Sequence, residues 1–254
     1  LFEIRYNILK DFVDEFRVIE FDKTFSGKYK NPKFDRGLLP KVKWYRMYES
    51  DYKKYRELAE SSPNTKGAEH WKTEFMQKES IRECLTDLDD ENIVMIGDCD
   101  EIWNPIIVED GKLSLLEEID LLIASDSHVI KLGLKVYTYW LNNKSSEQFW
   151  GTIVGRYKNI KDNCLNYLRN NSKKTSLTYG WHFTSMGGYD KVKEKLTDSY
   201  TDETYATKQV LNNLEDNIKQ GRDFLGRDFK YRIDESELPR YLLDNKEKYK
   251  HLFK

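Results

Sequence analysis

Three acids in four residues, Asp98, Asp100 and Glu101, follow directly on an apolar run in IVMIGDCDEIWNP (residues 93–105). Carboxylates packed so closely repel one another unless a cation sits among them or water solvates them. Two kinds of chemistry use acids in this spacing. In the first, the carboxylates hold a hard divalent ion such as Mg²⁺ or Mn²⁺, which prefers oxygen donors and shares its shell with substrate phosphates. Such an ion clamps a diphosphate and stabilises it as a leaving group, as glycosyl transfer from a sugar nucleotide requires. In the second, Asp98 is a nucleophile and Asp100 a general acid, as in aspartyl-phosphate hydrolases. A third reading is an acidic turn that caps a helix.

The surrounding chain weighs against the hydrolase. Its Asp-x-Asp pair belongs on the first strand, whereas at least two strand candidates come earlier here, RVIEF (17–21) and KVKWYRMY (41–48). Ile102 stands where Thr or Val is wanted, and the paired acid motif such hydrolases carry later in the chain is not evident.

The elements that must position the acids are legible from periodicity. Residues 1–16 carry Ile4, Ile8, Leu9, Phe12, Val13 and Phe16 at helical spacing. A long helix is expected from Glu69 to Leu88, then a turn at 88–92, then the strand IVMIG (93–97) that delivers the acids. A short helix at 111–119, strands within 120–141, and two more at 151–157 and 177–185 follow. Amphipathic helices are expected at 188–198 and 202–220, and a proline-started helix over 238–254 that docks on the body. Helices alternating with strands predict an α/β fold with a mostly parallel central sheet, helices on both faces, and ligands at the carboxyl ends of the strands.

The 254 residues suffice for one large domain. A net charge of −2 gives no basic footprint for nucleic acid. Cys84, Cys99 and Cys164 are too far apart for a zinc or C-x-x-C motif, and no run approaches the ~20 apolar residues of a membrane span.

Four blocks together carry a resemblance to glycosyltransferase family 17. They are LFEIRYNILKDFVDEFRVIEFDKTFSGKYK (1–30), EHWKTEFMQKESIRECL feeding IVMIGDCDEIWNP, YGWHFTSMGGYDKVKEKL (179–196), and GRDFLGRDF (221–229) with the LPRYL tail (238–242). The resemblance implies a GT-A-like nucleotide-sugar fold in a single domain over 1–254. It implies an inverting, metal-dependent transfer with UDP-N-acetylglucosamine as donor and a glycan or other polyol as acceptor. It also implies a further strand before the first helix, absent here, as if the N-terminus were trimmed. The chain departs from the family at Trp103, where a proline is usual, and at TDET (201–204), which lacks a histidine.

On that resemblance Asp98 contacts the ribose or a metal-bound water, Asp100 ligates the divalent cation, and His182 in YGWHF completes its shell or is a core histidine. Glu101 is a third ligand, a supporting acid or a cap. Glu20 and Lys28, in and after the first strand, are candidates for the nucleotide, and Trp181 for a sugar ring or the core. Gly187 and Gly188 allow a close backbone approach or start a helix. Asp126, Glu147 and Glu203 are candidates for the general base, Trp150 for an acceptor platform, and Lys208, Arg222 and Arg227 for the diphosphate. The expected location is cytoplasmic for a microbial or viral chain, which the Lys, Asn and Tyr usage favours, and the Golgi lumen for a eukaryotic one with a lost anchor. A nucleic acid enters only as a modified-base acceptor. The competing readings are a carbohydrate-binding module without turnover and the aspartyl-phosphate phosphatase.

Overall fold

The computed structural model describes residues 1–33, 39–65, 67–105, 129–199 and 205–254, together with 115, 117, 119 and 120. The chain opens with helix α1 (Phe2–Leu9), whose Phe2, Ile4, Tyr6 and Leu9 turn inward. Strands β1 (Phe16–Phe21) and β2 (Val42–Met47) pair in parallel as a separate two-stranded sheet. Helices α2 (Glu49–Tyr52), α3 (Arg56–Ser61) and α4 (Glu69–Ser80) follow and close around Tyr52, Ala59, Phe75 and Met76.

The main sheet is built from β3 (Ile93–Ile96), β4 (Glu101–Trp103), β5 (Ile130–Thr138), β6 (Asn143–Arg156), β7 (Lys173–Thr184) and β8 (Tyr231–Ile233). Its order is β3-β6-β5-β7-β4, with β8 also on β6. The architecture is α/β, a mixed central sheet flanked by helices, consistent with a GT-A-like layout. Parallel pairing joins β5 to β7, and the other pairs of this sheet are antiparallel. The tight connection Tyr139–Asn142 accounts for the β5–β6 pair, because a four-residue link can only return the chain antiparallel to β5. β5 lies at the centre, buried along nearly its whole length, which its apolar sequence IKLGLKVYT anticipates.

Between β6 and β7 lie α5 (Tyr157–Ile160) and α6 (Leu165–Asn171); after β7 come α7 (Gly188–Ser199) and α8 (Lys208–Lys219). The last two bury Val192, Leu196, Leu214 and Ile218 around Tyr139. The chain ends in α9 (Arg240–Asp244) and α10 (Lys246–Tyr249), whose Leu242 and Tyr249 share the main core with α1 and β5. Among the described residues no helix is long and apolar enough to cross a membrane.

One link shapes the molecule. β3 and β4 lie at opposite ends of the strand order, four inter-strand steps apart, about 19 Å if the sheet were flat. The chain joins them through residues 97–100 alone, and those residues make a turn closed by Glu101 N–H donating to the Asp98 carbonyl at 3.0 Å. Five residue steps reach at most about 18 Å fully extended. The sheet therefore curls until its two ends meet at the acidic turn.

Candidate active site

The turn is stapled from below. Arg5 of α1 donates to the carbonyls of Asp98 (2.8 Å) and Glu101 (2.9 Å), and Phe183 N–H donates to the Asp100 carbonyl (2.9 Å). With its backbone fixed, the three carboxylates go to three different places.

Glu101 points inward and is fully buried. It accepts from Thr152 Oγ1 at 3.0 Å and pairs with Arg169 of α6 through both carboxylate oxygens. Two glycines leave room for it: a Cβ on Gly97 would lie 2.7 Å from Glu101 Oε2, and one on Gly151 would lie 2.5 Å from Oε1. Burial pushes the Glu101 carboxyl above the usual range, against the pull of Arg169.

Asp98 is half exposed and accepts from the same Arg169 nitrogen at 2.9 Å. Loss of hydration at the turn opposes its charge, but Lys78 of α4 and Arg169 outweigh this and hold its carboxyl below the usual range.

Asp100 turns toward β7, where His182 is the cross-strand partner of Glu101. Asp100 Oδ2 and His182 Nε2 are 3.6 Å apart. The imidazole stacks on Phe149 of β6, with centroids 4.0 Å apart and planes at 29°. Its Nδ1 is buried without a hydrogen-bond partner among the described residues. Two donors at this spacing suit a shared ion about 2.1 Å from each. Among the described residues no three His, Cys, Asp or Glu side chains converge on one point. Asp100 and His182 could hold a divalent ion as a pair, which would leave its other coordination positions to phosphate and water.

Glu147 lies in β6, not in a loop as its polar surroundings NNKSSEQF suggest. Residues two apart share a strand face, so it lies on the side of the strand from which Phe149 reaches His182. Burial raises its carboxyl above the ordinary glutamate range, while Arg227, at 3.6 Å, and His182 pull it down. Arg227 is itself gripped by Asp223 at 2.8 and 3.0 Å.

Other candidates lie elsewhere. Trp181, next to His182 on the strand, faces the opposite way. It is 4% exposed, donates its indole N–H to the Glu237 carbonyl at 2.6 Å, and offers no face to a ligand. Glu20 is buried and accepts the Lys33 N–H at 2.9 Å, tying down the segment after the TFSGK loop. Lys28 pairs with Asp198 of α7 at 2.5 Å. Trp150 sits under the Lys174 ammonium, 4.2 Å from its ring centre. Gly187 and Gly188 have φ of +98° and +71° and form the turn into α7. Lys208 and Arg222 are exposed. Asp126 and Glu203 lie outside the described residues.

Sequence reasoning missed Arg169, Lys78, Arg5 and Thr152. Each reaches the turn through tertiary contact alone, with no local spacing to mark it. α6 holds Arg169 firmly: at its start buried Glu79 accepts from the N–H groups of Leu165 (3.1 Å) and Asn166 (2.7 Å), and at its end Lys131 donates to the Asn170 carbonyl at 2.8 Å.

No curated protein and no solved structure gives a significant match to this sequence. The model of glycosyltransferase family 17 does, over residues 1–254, its whole length. That match covers the entire chain, which therefore belongs to glycosyltransferase family 17.

Proposed function

We propose that this glycosyltransferase transfers N-acetylglucosamine from UDP-N-acetylglucosamine to a hydroxyl of a glycan or other polyol, with inversion and with a divalent cation, Mn²⁺ or Mg²⁺. The observation that carries the cation is the Asp100–His182 pair, 3.6 Å apart at the junction of the two sheet ends. A divalent ion supplies positive charge to the departing diphosphate. Asp100 offers the hard anionic donor, and His182 adds a neutral nitrogen whose ring is fixed by Phe149. Arg5 keeps the turn closed so that Asp100 meets its partner without rearrangement.

Inversion requires a base on the acceptor side. Glu147 supports that role, since a carboxylate with a raised pKa accepts a proton better than an ordinary surface glutamate. Its proton would come from the acceptor hydroxyl as the oxygen attacks the anomeric carbon.

Release of UDP from a panel of sugar nucleotides, with Mn²⁺ and with chelator, tests this reading. Mn²⁺-dependent release with UDP-N-acetylglucosamine is expected. Saturable sugar binding without release from any donor would leave a binding module, and full activity in chelator would remove the cation.

A further inference from the structure

Arg169 has no part in the chemistry above, yet it is the most heavily engaged cation at the turn. Its guanidinium bridges Asp98 and Glu101, and its helix is secured at both ends by Glu79 and Lys131. A residue needed only to neutralise buried Glu101 could do so without touching Asp98. Instead one nitrogen is shared between the two carboxylates. Arg169 gives the Asp98 side chain its hydrogen bond, and Asp98, half exposed and two residues from Asp100, is otherwise drawn only by the charge of Lys78 and its longer-range neighbours.

We propose that Arg169 is a positioning residue, an internal counter-cation that withholds Asp98 from the ion. Asp100 and His182 are then the protein's ligands among the described residues, and coordination positions stay open for the diphosphate. An ion held by three side chains would bind more tightly but offer fewer positions to the donor. Arg169 trades ion affinity for an open shell. This inference rests on the reading of Asp100 and His182 as the ion-holding pair.

The test is Mn²⁺ titration without any donor, followed by the electron paramagnetic resonance signal of free Mn²⁺. It compares the intact protein, Arg169→Gln, Asp98→Asn and the double variant. Arg169→Gln should bind Mn²⁺ about tenfold more tightly, since the Asp98 carboxylate is released to the ion. Asp98→Asn alone should change affinity less than about twofold, and in the double variant the gain should vanish, which separates ligation by Asp98 from a general charge effect. A large loss of affinity in Asp98→Asn would overturn the proposal, because Asp98 would already be a ligand. So would a gain from Arg169→Gln that persists without Asp98, or no gain at all. Should Arg169→Gln fail to fold, a large loss of affinity in the isosteric Asp98→Asn variant would still overturn the proposal. No saturable Mn²⁺ binding by the intact protein would instead remove the ion-holding pair, an outcome distinct from failure of Arg169's role.

Discussion

Asp100 and His182 meet because a turn at the end of β3 and a strand more than eighty residues later are paired by backbone hydrogen bonds. Each side chain alone is unremarkable; on the proposed reading the pair holds the ion. Asp100→Ala and His182→Ala should each reduce Mn²⁺ affinity and turnover at least tenfold, of the order seen when metal-supporting groups are removed, with circular dichroism unchanged. Turnover at the native rate in either variant would take that residue out of the site. Glu147 makes a separate prediction. As base it must be ionised, so kcat/KM should fall on the acid side with an apparent pKa above the ordinary glutamate range. Glu147→Gln should remove that limb and lower kcat by about 10²–10⁴-fold. Arg227→Ala should move the limb to higher pH, because Arg227 pulls the pKa down. An unshifted profile in that variant would dissociate Glu147 from the base. The acids of the turn were legible in the sequence because an apolar run delivers them. Their different fates were not, since those depend on Arg169, Thr152 and two glycines of separate elements.

At the scale of elements, α6 matters most, a seven-residue helix that presents Arg169 to the turn. Its first turn is satisfied by a side chain from α4: Glu79 is fully buried and accepts from Leu165, Asn166 and Arg82. Burial opposes its charge, but these donors, with Cys164, hold its carboxyl below the usual range. Glu79→Ala should destabilise the fold by about 3 kcal/mol, as loss of one partner in a buried charged network does, read as a lower urea midpoint. A loss within 0.5 kcal/mol would show that α6 is held by its apolar face alone. The strands β1, β2, β3, β5 and β7 were readable from their apolar runs, and α7 and α8 from helical periodicity. The first half of β6 was not, because NKSSEQF is polar, and a strand of polar residues looks like a loop. The helix expected over 69–88 ends its α-helical part at Ser80 and continues as a short 3₁₀ turn to Cys84.

For the whole molecule, carboxylates held by hydrogen bonds and ion pairs set the response to acid. Asp87 hydrogen-bonds to Arg17 and has a pKa of about 2, and Asp234, held chiefly by Ser236 with Arg232 adding to it, also lies at about 2. Both are depressed from 3.8, so their stabilisation is present above the unfolded value and is lost as pH falls from about 3.8 toward 2. Glu101 and Glu147 have the opposite sign: their raised values favour the protonated form, so acidification through the range above 4.5 relieves them. Urea unfolding across pH should therefore show a slope of one sign at mildly acidic pH and the other below about 4. Asp87→Asn should flatten the lower slope, and an unchanged slope would mean that Asp87 is equally ionised in the unfolded chain. The α/β class was readable from the alternation of helices and strands; the curl that closes the sheet was not, because strand order is a long-range property.

That closure dictates when the protein becomes active during folding. The acidic turn takes shape only after β3 has found β6, some sixty residues downstream, and β4 has found β7, some eighty downstream. Loops of that length must close before either pairing is rewarded, which makes such topologies slow. Helical signal should recover early on dilution from denaturant, while Mn²⁺ binding and turnover return together in the last kinetic phase.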